Sequence, residues 1–307
     1  MKIIVIGFGR LGSQLVGKID AEKNEVAVID KERSILERTE LPQRVRSYVG
    51  NAIDEDLLRE AGADSADILL ALTRDENTNL MIAQIARVVF DVPKVIAVVY
   101  DPQREASFHE AGIETLAITV AGAELLATRL EGVPAAPTIP GDTWRATPQA
   151  SARVPLRPLE TTDGSFYVIV VGGGLVGFYL SRALLKNGHE VTIIEKNPET
   201  FARVSQHIDC PVLLGDGSTI AVLERAGASR ANVMCAVTSR DQDNLIACQI
   251  GKSHFGIPKS VARVKNPKNE MVMRRLGVDT TVSSTAIITN HIESERSTPP
   301  VRKTILG

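Results

Sequence analysis

The chain has 307 residues, which at roughly 150 residues per domain predicts two domains. Hydrophobic residues make up 44% and charged residues 23% of the sequence, a composition that excludes a disordered or fibrous protein. The formal net charge is -2 and like charges form no long run, so we do not expect nucleic acid as a partner.

Membrane spans, secretion signals and metal sites also lack sequence support. The longest apolar stretch, residues 167–180, is shorter than the roughly 20 residues that a bilayer span needs, and the N-terminal MKIIVIGFG predicts a strand rather than a signal peptide. The three cysteines (Cys210, Cys235 and Cys248) lack C-x-x-C spacing, and the five histidines show no ligand spacing. We therefore expect small buried cysteines in a reducing cytosol and no metal.

The sequence repeats itself. Adding 165 to the residue number maps residues 4–121 onto 169–286 without a gap, and 33 of the 118 paired positions are identical. The chain is therefore predicted to contain two copies of one domain. The expected boundaries are a first domain at 1–132, a proline-rich linker at 133–165, a second domain at 166–292 and a polar tail at 293–307.

Strands and helices alternate along each copy. In the first copy, runs of β-branched residues predict strands at 3–6, 26–29, 45–49, 68–72, 95–99 and 115–118. Helices are predicted between them at 11–19, 34–41, 55–61, 77–90 and 103–111. Because parallel neighbours need a crossover, this alternation predicts an α/β fold. It consists of two tandem Rossmann-like, doubly wound parallel sheets of about six strands, with ligands at the carboxyl ends of the strands.

A glycine fingerprint follows the first strand of each copy. Gly7, Gly9 and Gly12 have the G-x-G-x-x-G spacing, which allows a tight turn, close approach of a pyrophosphate and close packing of helix against strand. Asp30 ends the second strand, where a carboxylate can accept hydrogen bonds from both ribose hydroxyls and would repel a 2′-phosphate. The pattern predicts NAD(H) or an adenine nucleotide over NADP; the alternative is that the glycines serve packing alone.

The second copy repeats these elements with substitutions. Gly172, Gly174 and Gly177 correspond to the three glycines, and Glu195 corresponds to the carboxylate at the strand end. Arg10, which could clamp phosphates or be an ordinary surface arginine, is replaced by Leu175.

Further candidate residues follow the third, fourth and fifth strands. Small-residue turns could border the adenine or cap the next helix, and two threonines are plausible hydroxyls at the ligand edge, whereas the acidic residues after them are expected to be helix N-terminal charges. Arg263 replaces Val98 on an apolar strand and needs a partner, either phosphate or carboxylate. The residues of the turns and the two threonines are Asn51, Ala52, Asp216, Gly217, Thr73 and Thr238.

Motifs in the same order and spacing identify a resemblance. These motifs are GFGRLG, the acidic strand end, GNA or GDGS, LREAGADSAD, LTRDENTN and the segments VPKVIAVVYDP and IPKSVARVKNP. Through them, both copies resemble the N-lobe of regulator-of-potassium-conductance (RCK) domains, also called KTN or TrkA-N domains. The match covers roughly residues 1–131 and 166–291. These domains occur in cytosolic subunits of Trk and Ktr potassium transporters and in ligand-gated potassium channels.

The resemblance implies roles for named residues. By position, phosphates would be held by the fingerprint glycines and Arg10, the ribose by Asp30 or Glu195, the adenine by the turns after the third strands, and Arg263 would serve the second copy. The expected cofactor-binding set is completed by Leu11, Lys31, Val176 and Lys196 beside these residues, together with Leu175. Family behaviour also implies NAD(H), ATP, ADP or AMP as ligand, assembly into homo-oligomers and ligand-dependent changes passed to a membrane pore.

The resulting hypothesis is a non-enzymatic, nucleotide-sensing regulatory subunit of a potassium transporter, cytoplasmic and peripheral to the inner face of the membrane. It has no catalytic residues and acts on a separate Trk/Ktr-like integral-membrane subunit. The sequence departs from the family in leaving no room for the usual C-lobe of about 80 residues after either copy. An NAD-dependent oxidoreductase and an oligomeric scaffold with one vestigial site are the alternatives.

Overall fold

A computed structural model describes residues 1–38, 41–42, 44–99, 113–117 and 164–283. The chain divides into two compact units, each containing one sheet. The predicted helix at 103–111, residues 133–163 of the predicted linker and the tail at 293–307 lie outside the described residues.

The first sheet has six parallel strands in the order β3-β2-β1-β4-β5-β6. This is a doubly wound order, in which β2 and β3 are added on one side of β1 and β4, β5 and β6 on the other side, which leaves a crevice at the carboxyl ends of β1 and β4. The strands are β1 (Lys2–Ile6), β2 (Glu25–Asp30), β3 (Val45–Val49), β4 (Ile68–Ala71), β5 (Lys94–Val99) and β6 (Glu114–Ala117).

Four helices connect these strands in the described part of the first copy. They are α1 (Arg10–Val16), α2 (Arg33–Arg38), α3 (Glu55–Glu60) and α4 (Glu76–Val88). Helix α4 packs against β4 and β5, and its Leu80, Met81, Ile82 and Ile85 are fully buried. Its first turn begins at Asp75, whose side chain accepts a hydrogen bond from the Thr78 amide.

The second sheet reproduces the first, in the order β9-β8-β7-β10-β11-β12. Its strands are β7 (Tyr167–Val171), β8 (Glu190–Glu195), β9 (Val212–Leu214), β10 (Val233–Ala236), β11 (Lys259–Val264) and β12 (Thr280–Ser283). Its helices are α5 (Leu175–Lys186), α6 (Pro198–Ser205), α7 (Ile220–Arg225), α8 (Asp241–Ser253) and α9 (Asn269–Arg275). The predicted pair of six-stranded parallel sheets is thereby confirmed.

Near-continuous apolar strands explain why both faces of each sheet are covered. All five residues of β7 are buried, as are four of the five in β1, the pattern expected of parallel strands with helices on both sides.

Cys235 and Cys248 are buried and Cys210 is partly exposed, so the expectation of buried cysteines is wrong for Cys210. Burial raises the pKa of both the Cys235 and the Cys210 thiols to about 11. Within the described residues, no helix has the length and apolar character needed to cross a bilayer.

Candidate functional site

The first and third glycines of each fingerprint are required by the backbone itself. Gly7 and Gly172 have φ of +92° and +106°, a left-handed conformation that side chains disfavour. A Cβ on Gly12 would lie 2.1 Å from the Gly7 carbonyl oxygen, and one on Gly177 would lie 1.8 Å from that of Gly172. Each third glycine therefore lets the following helix pack directly on the turn.

The second glycine of each fingerprint faces open space. A Cβ on Gly9 or on Gly174 would meet no atom within 4 Å. These glycines precede α1 and α5, which begin without a side-chain cap, whereas α3 and α4 are capped by Asp54 and Asp75. Free amides beside an open cradle suit a phosphate, because the positive end of the helix dipole points at the same place.

Carboxylates at the ends of β2 and β8 are held by backbone amides. Asp30 accepts a hydrogen bond of 2.7 Å from the Phe8 amide in the glycine turn and one of 2.9 Å from the Glu32 amide. Glu195 accepts equivalent bonds of 2.7 Å from the Gly173 and Asn197 amides. Each carboxylate is thus fixed beside its glycine turn with lone pairs left for ribose hydroxyls.

The turns after β3 and β9 differ between the copies. Asn51 accepts from the Ile53 amide, and Asp216 accepts from the Ser218 amide and hydroxyl. Because α3 is capped by Asp54 and α7 has no side-chain cap, helix capping by Asn51 or Asp216 is excluded. These two side chains instead brace their own turns at the sheet edge.

An ion pair closes the second of these turns. The Lys196 ammonium donates to the second carboxylate oxygen of Asp216 over 2.7 Å. Burial alone would raise the pKa of Asp216, but the hydrogen bonds from Lys196 and Ser218 outweigh it and the pKa is lowered. The same hydrogen bond raises the pKa of Lys196. Lys31 corresponds to Lys196, but the first copy has the uncharged Asn51 in place of Asp216.

The two predicted threonines are engaged by buried asparagines. The Thr73 hydroxyl donates to Asn79 Oδ1 over 2.6 Å, and the Thr238 hydroxyl donates to Asn244 Oδ1 over 2.7 Å. Each hydroxyl also accepts from a backbone amide two residues along the chain. The threonines therefore shape the loop after β4 or β10, and a hydroxyl contact with a ligand stays a prediction.

The second copy encloses a cleft of about 740 Å³ at the carboxyl ends of its strands. Every predicted second-copy residue except Gly177 lines it, and its size is that of a small-molecule site. Those residues are Gly172, Gly174, Leu175, Val176, Glu195, Lys196, Asp216, Gly217, Thr238 and Arg263, with Gly177 packed behind them.

Among the described residues that line this cleft, Arg263 is a cation without a carboxylate partner. Its Nε atom is buried and has no hydrogen-bond partner among the described residues. The other two lining cations are close to carboxylates, Lys196 to Asp216 and Arg240 to Asp243 at 3.6 Å. An anion in the cleft would give Arg263 the partner that a half-buried guanidinium needs.

In the first copy the cation at the cradle is Arg10, the exposed first residue of α1, followed by the exposed Leu11. In the second copy, Leu175 at the Arg10 position is 75% exposed and followed by the exposed Val176. Val98, at the Arg263 position, is fully buried. Arg10 of the first copy therefore lies on α1, whereas Arg263 of the second copy lies on β11.

Sequence reasoning missed several residues of this edge. Asn79 and Asn244 hold the threonine loops, and Asp243 lines the second cleft. A signal for the asparagines was present, since the pair Asn79-Leu80 recurs as Asn244-Leu245.

In the part of the chain that the structure describes, no group of three or more histidine, cysteine or acidic side chains could hold a metal ion.

Relatives of this chain are potassium-uptake proteins. The Trk system potassium uptake protein TrkA homolog of Methanothermobacter thermautotrophicus is 35% identical over 140 residues, which cover 46% of this chain and 64% of that protein. The Trk system potassium uptake protein TrkA of Halomonas elongata is 25% identical over 333 residues, covering 87% of this chain and 72% of that protein.

Solved structures show a more distant likeness. One described as Shewanella denitrificans Kef CTD in AMP bound form is 26% identical, covers 42% of this chain and 79% of its own, and has a TM-score of 0.37. This TM-score is too low for a comparison of binding residues.

The family model for the TrkA-N domain matches twice, at residues 3–119 and 168–284. These ranges coincide with the two sheets and carry both fingerprints, both strand-end carboxylates and both threonine loops. The chain belongs to the TrkA-N domain family.

Proposed function

We propose that this chain is a nucleotide-sensing regulatory subunit of a potassium-uptake system. The observation that carries the proposal is the pair of open cradles at Gly9 and Gly174, each with uncapped helix amides and an amide-anchored carboxylate beside it. The link to potassium comes from the relatives named TrkA, of which this chain spans 64% and 72% of the length.

The proposed ligand is NAD(H) or an adenine nucleotide. A pyrophosphate fits the cradle and the helix N-terminus, and the ribose hydroxyls fit the remaining lone pairs of Asp30 and Glu195. The same carboxylates disfavour NADP, because its 2′-phosphate would lie against a fixed negative charge. In the second copy, Arg263 would neutralise part of the phosphate charge.

The proposed mechanism is regulation by differential binding. A nucleotide shifts a conformational equilibrium only if it binds one conformation more tightly than the other. We propose that the chain forms homo-oligomers at the cytoplasmic face of the membrane. There the shift would be passed to a separate integral-membrane, potassium-translocating subunit of the Trk or Ktr type.

Catalysis is not part of this proposal. Among the described residues that line the second cleft, Lys196 and Asp216 form an ion pair, Arg240 lies 3.6 Å from Asp243, and Glu195 accepts two backbone amides. Hydride transfer instead needs an acid or base positioned at the nicotinamide. Saturable oxidation of NADH with a carbonyl substrate would instead favour the oxidoreductase alternative.

Two measurements test the proposal. A thermal-shift panel of NAD, NADH, NADP, ATP, ADP and AMP should show stabilisation by at least one ligand without a 2′-phosphate, because a ligand of the folded state raises its apparent stability. The stabilising nucleotide should then change potassium flux through a co-reconstituted Trk-type membrane subunit, compared with the Gly9→Val/Gly174→Val double variant as control. Indifference of the protein to all six nucleotides at millimolar concentration would refute the proposal.

A further inference from the structure

We propose that Asn244 is a positioning residue that sets the phosphate-binding guanidinium of Arg263, an inference that rests on the proposed nucleotide site. Asn244 lies in the first turns of α8 and is fully buried. It does not line the cleft, so any effect on a ligand must pass through the residues that it holds.

Asn244 bridges two strands at the point where they separate. The parallel register of β10 and β11 ends at Ala236 and Ala262, one residue before Arg263. The Asn244 Nδ2 group donates to the Arg263 carbonyl over 2.8 Å, which supplies a hydrogen bond that β10 no longer provides. The end of β11 is thus held by the Asn244 side chain on its β10 side and by pairing with β12 on its other side.

The other side of the same amide holds the loop after β10. Asn244 Oδ1 accepts from the Thr238 amide over 2.9 Å and from its hydroxyl over 2.7 Å. Thr238 and Arg263 both line the cleft, so one buried side chain sets the spacing between them. Asp241, one turn earlier, accepts from the Lys265 and Asn266 amides and fixes the chain beyond the strand.

Arg263 depends on this anchor because little else constrains its head group. Its Nε has no partner among the described residues, and the long side chain has several rotatable bonds. If the strand end moves, the guanidinium moves with it. Loss of Asn244 is therefore expected to remove the contribution of Arg263 to phosphate binding while leaving adenosine recognition intact.

The first copy provides a matched control. Asn79 is equally buried and makes the same set of hydrogen bonds. Its Nδ2 donates to the Val98 carbonyl over 2.9 Å, and its Oδ1 accepts from the Thr73 amide over 2.8 Å. The residue that it anchors is a valine, so no guanidinium depends on it. Loss of Asn79 should cost stability as loss of Asn244 does, without altering phosphate recognition in the second copy.

The experiment uses the full chain carrying Gly9→Val, so that only the second site binds. Calorimetry gives the Kd for adenosine, for ADP and for NAD. The ratio of the Kd for adenosine to that for ADP or NAD isolates the contribution of the phosphates. Arg263→Ala should lower this ratio about 10- to 100-fold, the value of a hydrogen-bonded charge. Asn244→Ala should lower it about 10-fold and Asn79→Ala should leave it unchanged.

A double-mutant cycle separates positioning from general damage. Adding Asn244→Ala to Arg263→Ala should lower the ratio no further, because the residue through which Asn244 acts is already gone. If Asn244→Ala does not fold, Asn244→Leu keeps a side chain of similar size without charge and removes the donor to Arg263, and the same result is expected. Equal weakening of adenosine and ADP, or an additive double variant, would overturn the positioning role while leaving the proposed function intact. Failure of the parent protein to bind any of the three ligands would overturn both.

Discussion

At the scale of single residues, the second glycine of each fingerprint is expected to matter for ligand binding and the third for folding. Valine at Gly9 or Gly174 meets no neighbour at its Cβ, so it should cost about 1 kcal/mol or less as a poor helix N-cap while filling the phosphate cradle. Alanine at Gly12 or Gly177 would clash with a backbone carbonyl at 2.1 or 1.8 Å and should cost several kcal/mol. Urea denaturation measures the stabilities and calorimetry the affinities. Equal stabilities for both classes of variant would contradict this division.

The strand-end carboxylates should control discrimination against a 2′-phosphate. Asp30→Asn and Glu195→Gln remove the negative charge while keeping a side-chain oxygen that can accept a backbone amide. Because a charge within a few ångströms of a phosphate contributes on the order of 1 kcal/mol or more, the preference for NAD over NADP should fall about tenfold at the mutated copy. Competition binding measures this preference. An unchanged preference would show that the carboxylate does not face the ribose.

At the scale of elements, the Lys196–Asp216 ion pair joins the end of β8 to the loop before α7. The lowered pKa of Asp216 means that its contribution to stability is present above its ordinary pKa near 4 and is lost as pH falls through the lowered value. The raised pKa of Lys196 means that its contribution is present below about pH 10 and is lost as pH rises through the raised value. The pair therefore stabilises the fold between these limits.

Lys196→Met should consequently lower the free energy of unfolding by less than about 1 kcal/mol at pH 7, because the Lys196 side chain is 62% exposed and water screens the pair. The difference from the parent should shrink as pH falls below about 4 and vanish once pH has fallen through the lowered pKa of Asp216. Lys31→Met is the control, since the first copy has Asn51 in place of the carboxylate. Denaturation curves at several pH values would contradict the assignment if both variants responded alike.

Elements were predictable from the sequence where apolar periodicity alone decides them. The run Ile3–Ile6 and its copy, each followed by a helical segment, predicted buried parallel strands in a doubly wound sheet. Right-handed crossovers restrict the possible strand orders, and the structure gives the order itself. The bonds from Asn244 to Thr238 and Arg263 were not predictable, because a buried asparagine fits either an ordinary helix cap or a bridge between strands. Only the tertiary distances distinguish these two roles.

At the scale of the whole molecule, the repeat predicts two ligands per chain. Both copies retain the open cradle and the anchored carboxylate, although their arginines come from α1 in one and β11 in the other. Differences in how the phosphate charge is compensated should give the two sites unequal affinities for the same nucleotide. A single chain would then respond over a wider range of nucleotide concentration than one site allows.

Calorimetry with the ligand selected by the thermal-shift panel should therefore give two sites per chain, resolved into two affinities. Gly9→Val should delete one of them and Gly174→Val the other, while the double variant should bind nothing. If each single variant leaves the remaining affinity unchanged, the two sites are independent; a shift in that affinity measures the coupling free energy between them. One site in the parent protein, abolished by only one of the two variants, would favour the vestigial-site alternative, since a single functional cradle accounts for that result.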